Sequence, residues 1–205
     1  MRYSYIVVMG GSFNPPTIAH FRLMETALNM LEGSRGIFVP SSEAYLHKKF
    51  QGKEKILSEA MRTEMLATFG QIDARMHVDG RELGTTVSRG HTVDTLEAIQ
   101  REYPESEILI IFGGDKIQGL PRWPSFQRLI TQFRVILFRR KGADPAELIA
   151  ENADLMRFQD RFVILDPPDG MEGISSSKVR ASDKNARCML TEPVYALYRE
   201  AGEMH

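Results

Sequence analysis

The chain predicts an α/β domain built on a doubly wound, mainly parallel sheet flanked by helices, and three observations carry that expectation. Short β-branched and aliphatic runs recur along the first 165 positions. Helix-length stretches with apolar residues at three- and four-residue spacings separate them. The strand runs are almost continuously apolar, as in ILIIF at 108–112, which suits strands covered on both faces.

In chain order, strands are predicted at Tyr3–Met9, Gly36–Val39, Arg75–Asp79, Glu107–Phe112, Arg134–Phe138 and Arg161–Leu165. Helices are predicted in IAHFRLMETALNML (18–31), SEAMRTEMLATF (58–69), TVDTLEAIQREY (92–103) and PAELIAENADLMRF (145–158). The polar stretch Pro40–Lys55, PSSEAYLHKKFQGKEK, reads as a long loop, either a mobile active-site loop or plain surface. After Asp166 the pattern changes to PPDGMEGISSSKVR and a charged, helix-prone tail. We take 168–205 as a small C-terminal helical subregion of one domain spanning 1–205.

Composition narrows the partners. With 205 residues, 42% apolar and 26% charged, the chain can bury a sizeable core. A formal net charge of -1 supplies no general attraction to nucleic acid or acidic membranes, so an anionic ligand must be held locally. The single cysteine, Cys188, excludes an internal disulfide framework and points to a reducing, cytoplasmic setting. No run is long enough to span a bilayer, and the first residues lack a signal-peptide cleavage pattern. The five histidines show no ligand spacing for a metal, and nothing in the sequence sets an oligomeric state.

Three segments carry the chemistry. In GGSFNPPTIAH (10–20), a strand meets Gly10 and Gly11, which permit close approach to a ligand or positive φ, and then Ser12, Phe13 and an Asn-Pro-Pro turn. A helix starting near Thr17 aims its free N–H groups at whatever lies above, and Thr17 and His20 share its first turn. By themselves these two residues read sooner as a cap and a satisfied histidine, and with the segments that follow they are expected to donate together to one phosphate. In IFGGDK (111–116), a second strand runs into glycines. If the strand order reverses between the first and fourth strands, Gly10 and Gly113 line one crevice. Asp115 is then either a ribose acceptor or a helix cap. In ISSSKVR (174–180), serines precede a helix and Ser176 and Arg180 share a face, either as a simple cap or as a second, cationic anion site. Neither GxxxxGK[ST] nor GxGxxG occurs, so the common nucleotide-binding loops lose support.

Together GGSFNPPTIAH, FGGDKIQGLPRW and ISSSKVR resemble the nucleotidyltransferase superfamily with the T/H-x-x-H motif and a Rossmann-like sheet. The likeness is specifically to the nicotinate or nicotinamide mononucleotide adenylyltransferases. VPSSEAYLHK, RGHTVDTLEAI and LPRW look like the bacterial nicotinate mononucleotide branch in order and spacing. The resemblance implies an enzyme of NAD biosynthesis that joins nicotinate mononucleotide and ATP into deamido-NAD and pyrophosphate. Nicotinamide mononucleotide and phosphopantetheine are alternative acceptors, and a non-catalytic nucleotide-binding regulator is the alternative from another class.

By that likeness Thr17, His20 and Arg180 carry the transfer, with the backbone at Gly10, Gly11, Ser12 and Phe13 around the triphosphate. Gly113, Asp115, Ile174 and Ser175 contact adenosine, Ser176 and Ser177 lie at the phosphates, and Lys48 closes on them from the 40–55 loop. Thr92 and Trp123 hold the pyridine end, although Trp123 also reads as a core residue. Mg2+ arrives on the ATP phosphates, with no protein metal cage. The chain departs from the bacterial pattern at Thr17, where histidine is usual, at Asn14, where aspartate is usual, and at His91, where an aromatic is usual.

Overall fold

A computed structural model describes residues 2–84, 92–123, 125–140, 144–181 and 185–203, excluding the side chains of 114–116 and 203. Six strands form one parallel sheet: β1 (Tyr5–Gly11), β2 (Ser34–Pro40), β3 (Met76–Val78), β4 (Glu107–Phe112), β5 (Arg134–Phe138) and β6 (Phe162–Leu165). Their order is β3-β2-β1-β4-β5-β6, so the winding reverses between β1 and β4. Every pairing is parallel, with Val7 facing Gly36 on one side and Leu109 on the other.

Side-chain alternation along these strands feeds two separate cores. Val7, Met9, Leu109, Ile111 and Ile136 face helices α1 (Ile18–Met30) and α3 (Glu59–Ile72). Ile6, Val8, Ile108, Ile110 and Val135 face α4 (Thr92–Glu102), α5 (Phe126–Gln132) and the 3-10 helix Gly114–Arg122. Burial on both faces is why the strands read as unbroken apolar runs. Gly36 lets α1 lie close on β2, since a Cβ there would stand 2.8 Å from Met24 Sδ.

Two expectations are corrected. The 40–55 stretch is not a loop, because it holds helix α2 (Glu43–Phe50). Ser42 caps α2 by accepting the Tyr45 N–H at 3.3 Å, and Glu59 Oε1 accepts the Glu43 N–H at 2.7 Å. Leu46 alone is buried, so no apolar stripe announces the helix. PAELIAENADLMRF, in turn, forms two short helices, α6 (Pro145–Ala150) and α7 (Ala153–Met156). Asn152 restarts the second by accepting N–H groups from Asp154 and Leu155.

The tail forms α8 (Ser176–Ala181), α9 (Ala186–Met189) and α10 (Glu192–Glu203). Val179, Leu190, Val194 and Ala201 enter the same core as α1 and α3. The C-terminal helices therefore complete one face of the sheet and dock ISSSKVR over the end of β1.

Candidate active site

The site lies at the carboxyl ends of β1 and β4, where the strand order reverses and a doubly wound sheet opens a crevice. β1 runs through Gly10 and Gly11, pairing Gly11 with Pro40, instead of ending near Met9. Neither glycine has positive φ. The left-handed residue is Phe13, at φ 45, a conformation costly for a bulky side chain. Its buried ring compensates by packing edge-on against His20 at 5.1 Å and Phe38 at 5.7 Å. A Cβ on Gly11 would press on that ring at 3.2 Å, whereas one on Gly10 would meet nothing closer than 3.9 Å. Gly10 is thus the open floor and Gly11 the seat of Phe13.

Thr17 is the N-cap of α1, preceded by the buried Pro15 and Pro16. Its backbone N–H donates to His20 Nδ1 at 2.9 Å, and its hydroxyl lies 2.8 Å from the same nitrogen. An Nδ1 that accepts the N–H carries no proton, so the neutral ring holds its proton on Nε2. Burial pushes the His20 pKa down to about 4, so the ring stays neutral at physiological pH. The expectation that Thr17 and His20 both donate to one phosphate is therefore corrected. Thr17 is fully buried and its hydroxyl belongs to the imidazole, leaving Nε2–H as the outward donor. The first turn of α1 carries no acidic residue, so its N-terminal dipole is not already neutralised by a carboxylate.

ISSSKVR is brought to this turn across the chain, with Ser176 161 positions from Pro15. Ser176 Oγ donates to the Pro15 carbonyl at 2.7 Å. Ser175 Oγ accepts the Lys178 N–H at 3.3 Å and so acts as a cap. Arg180 donates through Nη1 to the Asn14 carbonyl and through Nη2 to the Glu54 carboxylate, with Ser177 Oγ 3.3 Å from Nη2. Ser176 is thereby a tie between motifs, not a hydroxyl open to phosphate, while Ser177 stays exposed and Ile174 half-buried.

On the β4 side, Gly113 is exposed and precedes the 3-10 helix. Asp115 belongs to that helix, but its side chain lies outside the described residues, as does His91 altogether. Thr92 begins α4 and is half-buried. The half-buried Trp123 packs edge-on against Phe112 at 5.3 Å, so it is anchored to the core and still partly open. Lys48 is exposed on α2, and the lysine that reaches the β1 turn is its neighbour. Lys49 Nζ donates to Ser12 Oγ at 3.0 Å.

A family model described as cytidylyltransferase-like matches residues 8–182, from within β1 to just past α8, and takes in all three motifs. The chain belongs to the cytidylyltransferase-like family. Among relatives of this cytidylyltransferase-like chain, a "Probable nicotinate-nucleotide adenylyltransferase" of Listeria monocytogenes serotype 4a is 28% identical over 193 residues. That alignment spans 94% of this chain and 93% of the relative. The "Nicotinamide/nicotinic acid mononucleotide adenylyltransferase 2" of Caenorhabditis elegans is 27% identical over 197 residues, or 86% of each chain. The solved structure "Plasmodium falciparum nicotinic acid mononucleotide adenylyltransferase complexed with NaAD" shares the fold. Its TM-score is 0.71 at 15% identity, over 97% of this chain and 96% of that one.

Sequence reasoning missed the scaffold beneath the cytidylyltransferase-like turn. Arg62 on α3 is wholly buried, donating to the Leu57 carbonyl at 3.1 Å and to the Ser12 carbonyl at 2.9 Å. Burial pushes its pKa down, against the pull of Glu59 and Glu43. The signal was a charge at 62 in register with the apolar positions 65, 66 and 69. Asn14, also fully buried, donates to the Lys55 carbonyl at 2.9 Å and accepts the Leu57 N–H at 2.8 Å. A carboxylate cannot make the first of these bonds, which gives the departure at this position a physical role.

Proposed function

We propose that this nucleotidyltransferase joins nicotinate mononucleotide and ATP into deamido-NAD, releasing pyrophosphate. The observation that carries the reading is the docking of α8 on the Asn14–Pro15 turn, which sets Arg180 beside the N-terminus of α1 and its neutral His20. The relatives' printed names support it, and so does the complete set of three motifs at the switch point.

In the reaction, an oxygen of the mononucleotide phosphate attacks the α-phosphorus of ATP as the bond to the bridging oxygen of pyrophosphate breaks. The nucleophile is already ionised at neutral pH, so the protein aligns the groups and stabilises developing charge. His20 donates Nε2–H toward an α-phosphate oxygen, without proton transfer. Lys49 and the α1 N-terminus add positive potential, and Arg180 holds the departing pyrophosphate. A Mg2+ ion carried by the ATP phosphates and water belongs to the same proposal. Such an ion supplies charge neutralisation on the phosphates. Thr92 and Trp123 form the pyridine end of the same proposal.

No helix among the described residues is long and apolar enough to cross a membrane. The cytoplasmic setting of the same proposal rests on cysteine usage, with Cys188 the single cysteine of the chain. Thr17, standing where the bacterial branch has histidine, favours nicotinamide mononucleotide as the second reading of the acceptor, and the name of the Caenorhabditis elegans relative covers both.

Pyrophosphate release measured with ATP, Mg2+ and each acceptor decides among these. The expected order is nicotinate mononucleotide ahead of nicotinamide mononucleotide, with phosphopantetheine inactive. His20→Ala is expected to lower kcat by about 10²- to 10³-fold, and because it also strips the buried Thr17 N–H of its acceptor, turnover is measured well below the lowered Tm of the variant. Absence of pyrophosphate release with every acceptor in the panel would overturn the transferase reading in favour of a non-catalytic nucleotide-binding regulator.

A further inference from the structure

The Arg180 guanidinium is already engaged by an internal anion. Nη2 donates to the Glu54 carboxylate, Nη1 to the Asn14 carbonyl, and the Phe50 ring lies beneath at 5.6 Å. The Arg180 side chain is only 14% exposed and that of Glu54 33%, so this is not a loose pair of surface charges.

The backbone around Glu54 is pinned on both sides. Gln51 and Gly52 take φ 51 and 72 to reverse the chain after α2, and Lys53 N–H donates to the Phe50 carbonyl at 2.9 Å. Beyond Glu54, the Asn14 side chain holds Lys55 and Leu57. Asn14 therefore gives its carbonyl to Arg180 and its amide to the segment that presents Glu54. A cavity of about 730 Å³ adjoins the pair, with Lys53, Lys55, Tyr195 and Arg199 in its walls. It offers room and positive charge to a carboxylate that leaves Arg180.

Carboxylate and phosphate present similar oxygens to the guanidinium fork. Two such anions on one fork repel, so a phosphate gains Arg180 only as Glu54 withdraws. Resting on the assignment of Arg180 to the ATP phosphates, we infer that Glu54 is a specificity-determining internal competitor for the terminal phosphates. It holds Arg180 between turnovers, weakens ATP and pyrophosphate binding, and leaves untouched any nucleotide too short to reach Arg180. Its return to the guanidinium favours departure of the pyrophosphate product.

The test is calorimetric titration of the full chain with Mg2+-ATP, inorganic pyrophosphate and AMP, in wild type, Glu54→Gln, Arg180→Ala and the double variant. Glu54→Gln is expected to bind ATP and pyrophosphate about three- to tenfold more tightly, with AMP unchanged. Glu54→Ala should tighten them likewise, whatever it does to Tm. The double variant should match Arg180→Ala, because Glu54 acts only through that residue. Unchanged or weaker ATP binding in both Glu54 variants would mean a plain structural ion pair and would overturn the inference. If Arg180→Ala binds ATP like wild type, the assignment of Arg180 itself fails, a distinct result that removes the inference with it.

Discussion

His20 is held neutral by burial, while the backbone of its own helix cap fixes which nitrogen carries the proton. Its folded pKa of about 4 lies below the ordinary value of 6.5, so the unfolded chain binds more protons between those limits. The stability contributed by neutral His20 is whole above pH 6.5 and is lost as pH falls toward 4. Thermal unfolding followed from pH 7 to 4.5 should show Tm falling, and His20→Asn should flatten part of that slope. Arg62 belongs to the same scale. Arg62→Ala opens a cavity and leaves the Ser12 and Leu57 carbonyls without their donor, an expected loss of about 3 kcal/mol in denaturant unfolding. His20 and Arg180 stood out in the sequence because glycine, proline and serine punctuation frames them. Arg62 sits inside an ordinary amphipathic helix and was legible only as a charge on an apolar stripe.

At the scale of elements, α2 shows where periodicity fails. It buries Leu46 and little else, and its stability comes from the Ser42 cap, the Glu59 bond to its first turn and the basic residues in its last. None of these contacts was read from the sequence, where a helix lying flat on the surface has no apolar stripe to betray it. The 51–57 segment after α2 depends on Asn14. Asn14→Asp sets a carboxylate against the Lys55 carbonyl, and a loss of about 1–3 kcal/mol is expected, read as a Tm several degrees lower. The packing of α3 on β3 has a similar single point of failure. A Cβ at Gly70 would stand 2.7 Å from the Met76 backbone oxygen, so Gly70→Ala must move helix against strand. It should cost about 1–3 kcal/mol by the same unfolding measurement, despite the better helix propensity of alanine.

Across the whole molecule, the sheet is the partition between two cores, and the C-terminal helices close one of them. Val179, Leu190 and Val194 bury fully or nearly so, at roughly 1.5–3 kcal/mol each, which is comparable to the ~5–15 kcal/mol that holds a domain folded. Truncation after Asp166 is therefore expected to abolish cooperative unfolding and to expose dye-binding apolar surface, as seen by calorimetry and fluorescence. The six strands and the alternation of strand and helix were legible in sequence because each depends on local side-chain pattern and on burial of both sheet faces. The three motifs were legible for the same reason, as local punctuation at strand and helix ends. Which hydrogen-bond partner each side chain meets was decided only in three dimensions. The Thr17 hydroxyl turns to His20, Ser176 to Pro15, Lys49 rather than Lys48 to Ser12, and Glu54 to Arg180. The last three pairings join residues 37 to 161 positions apart, a separation no local pattern encodes, and they follow from where the sheet order and the C-terminal helices bring the backbone.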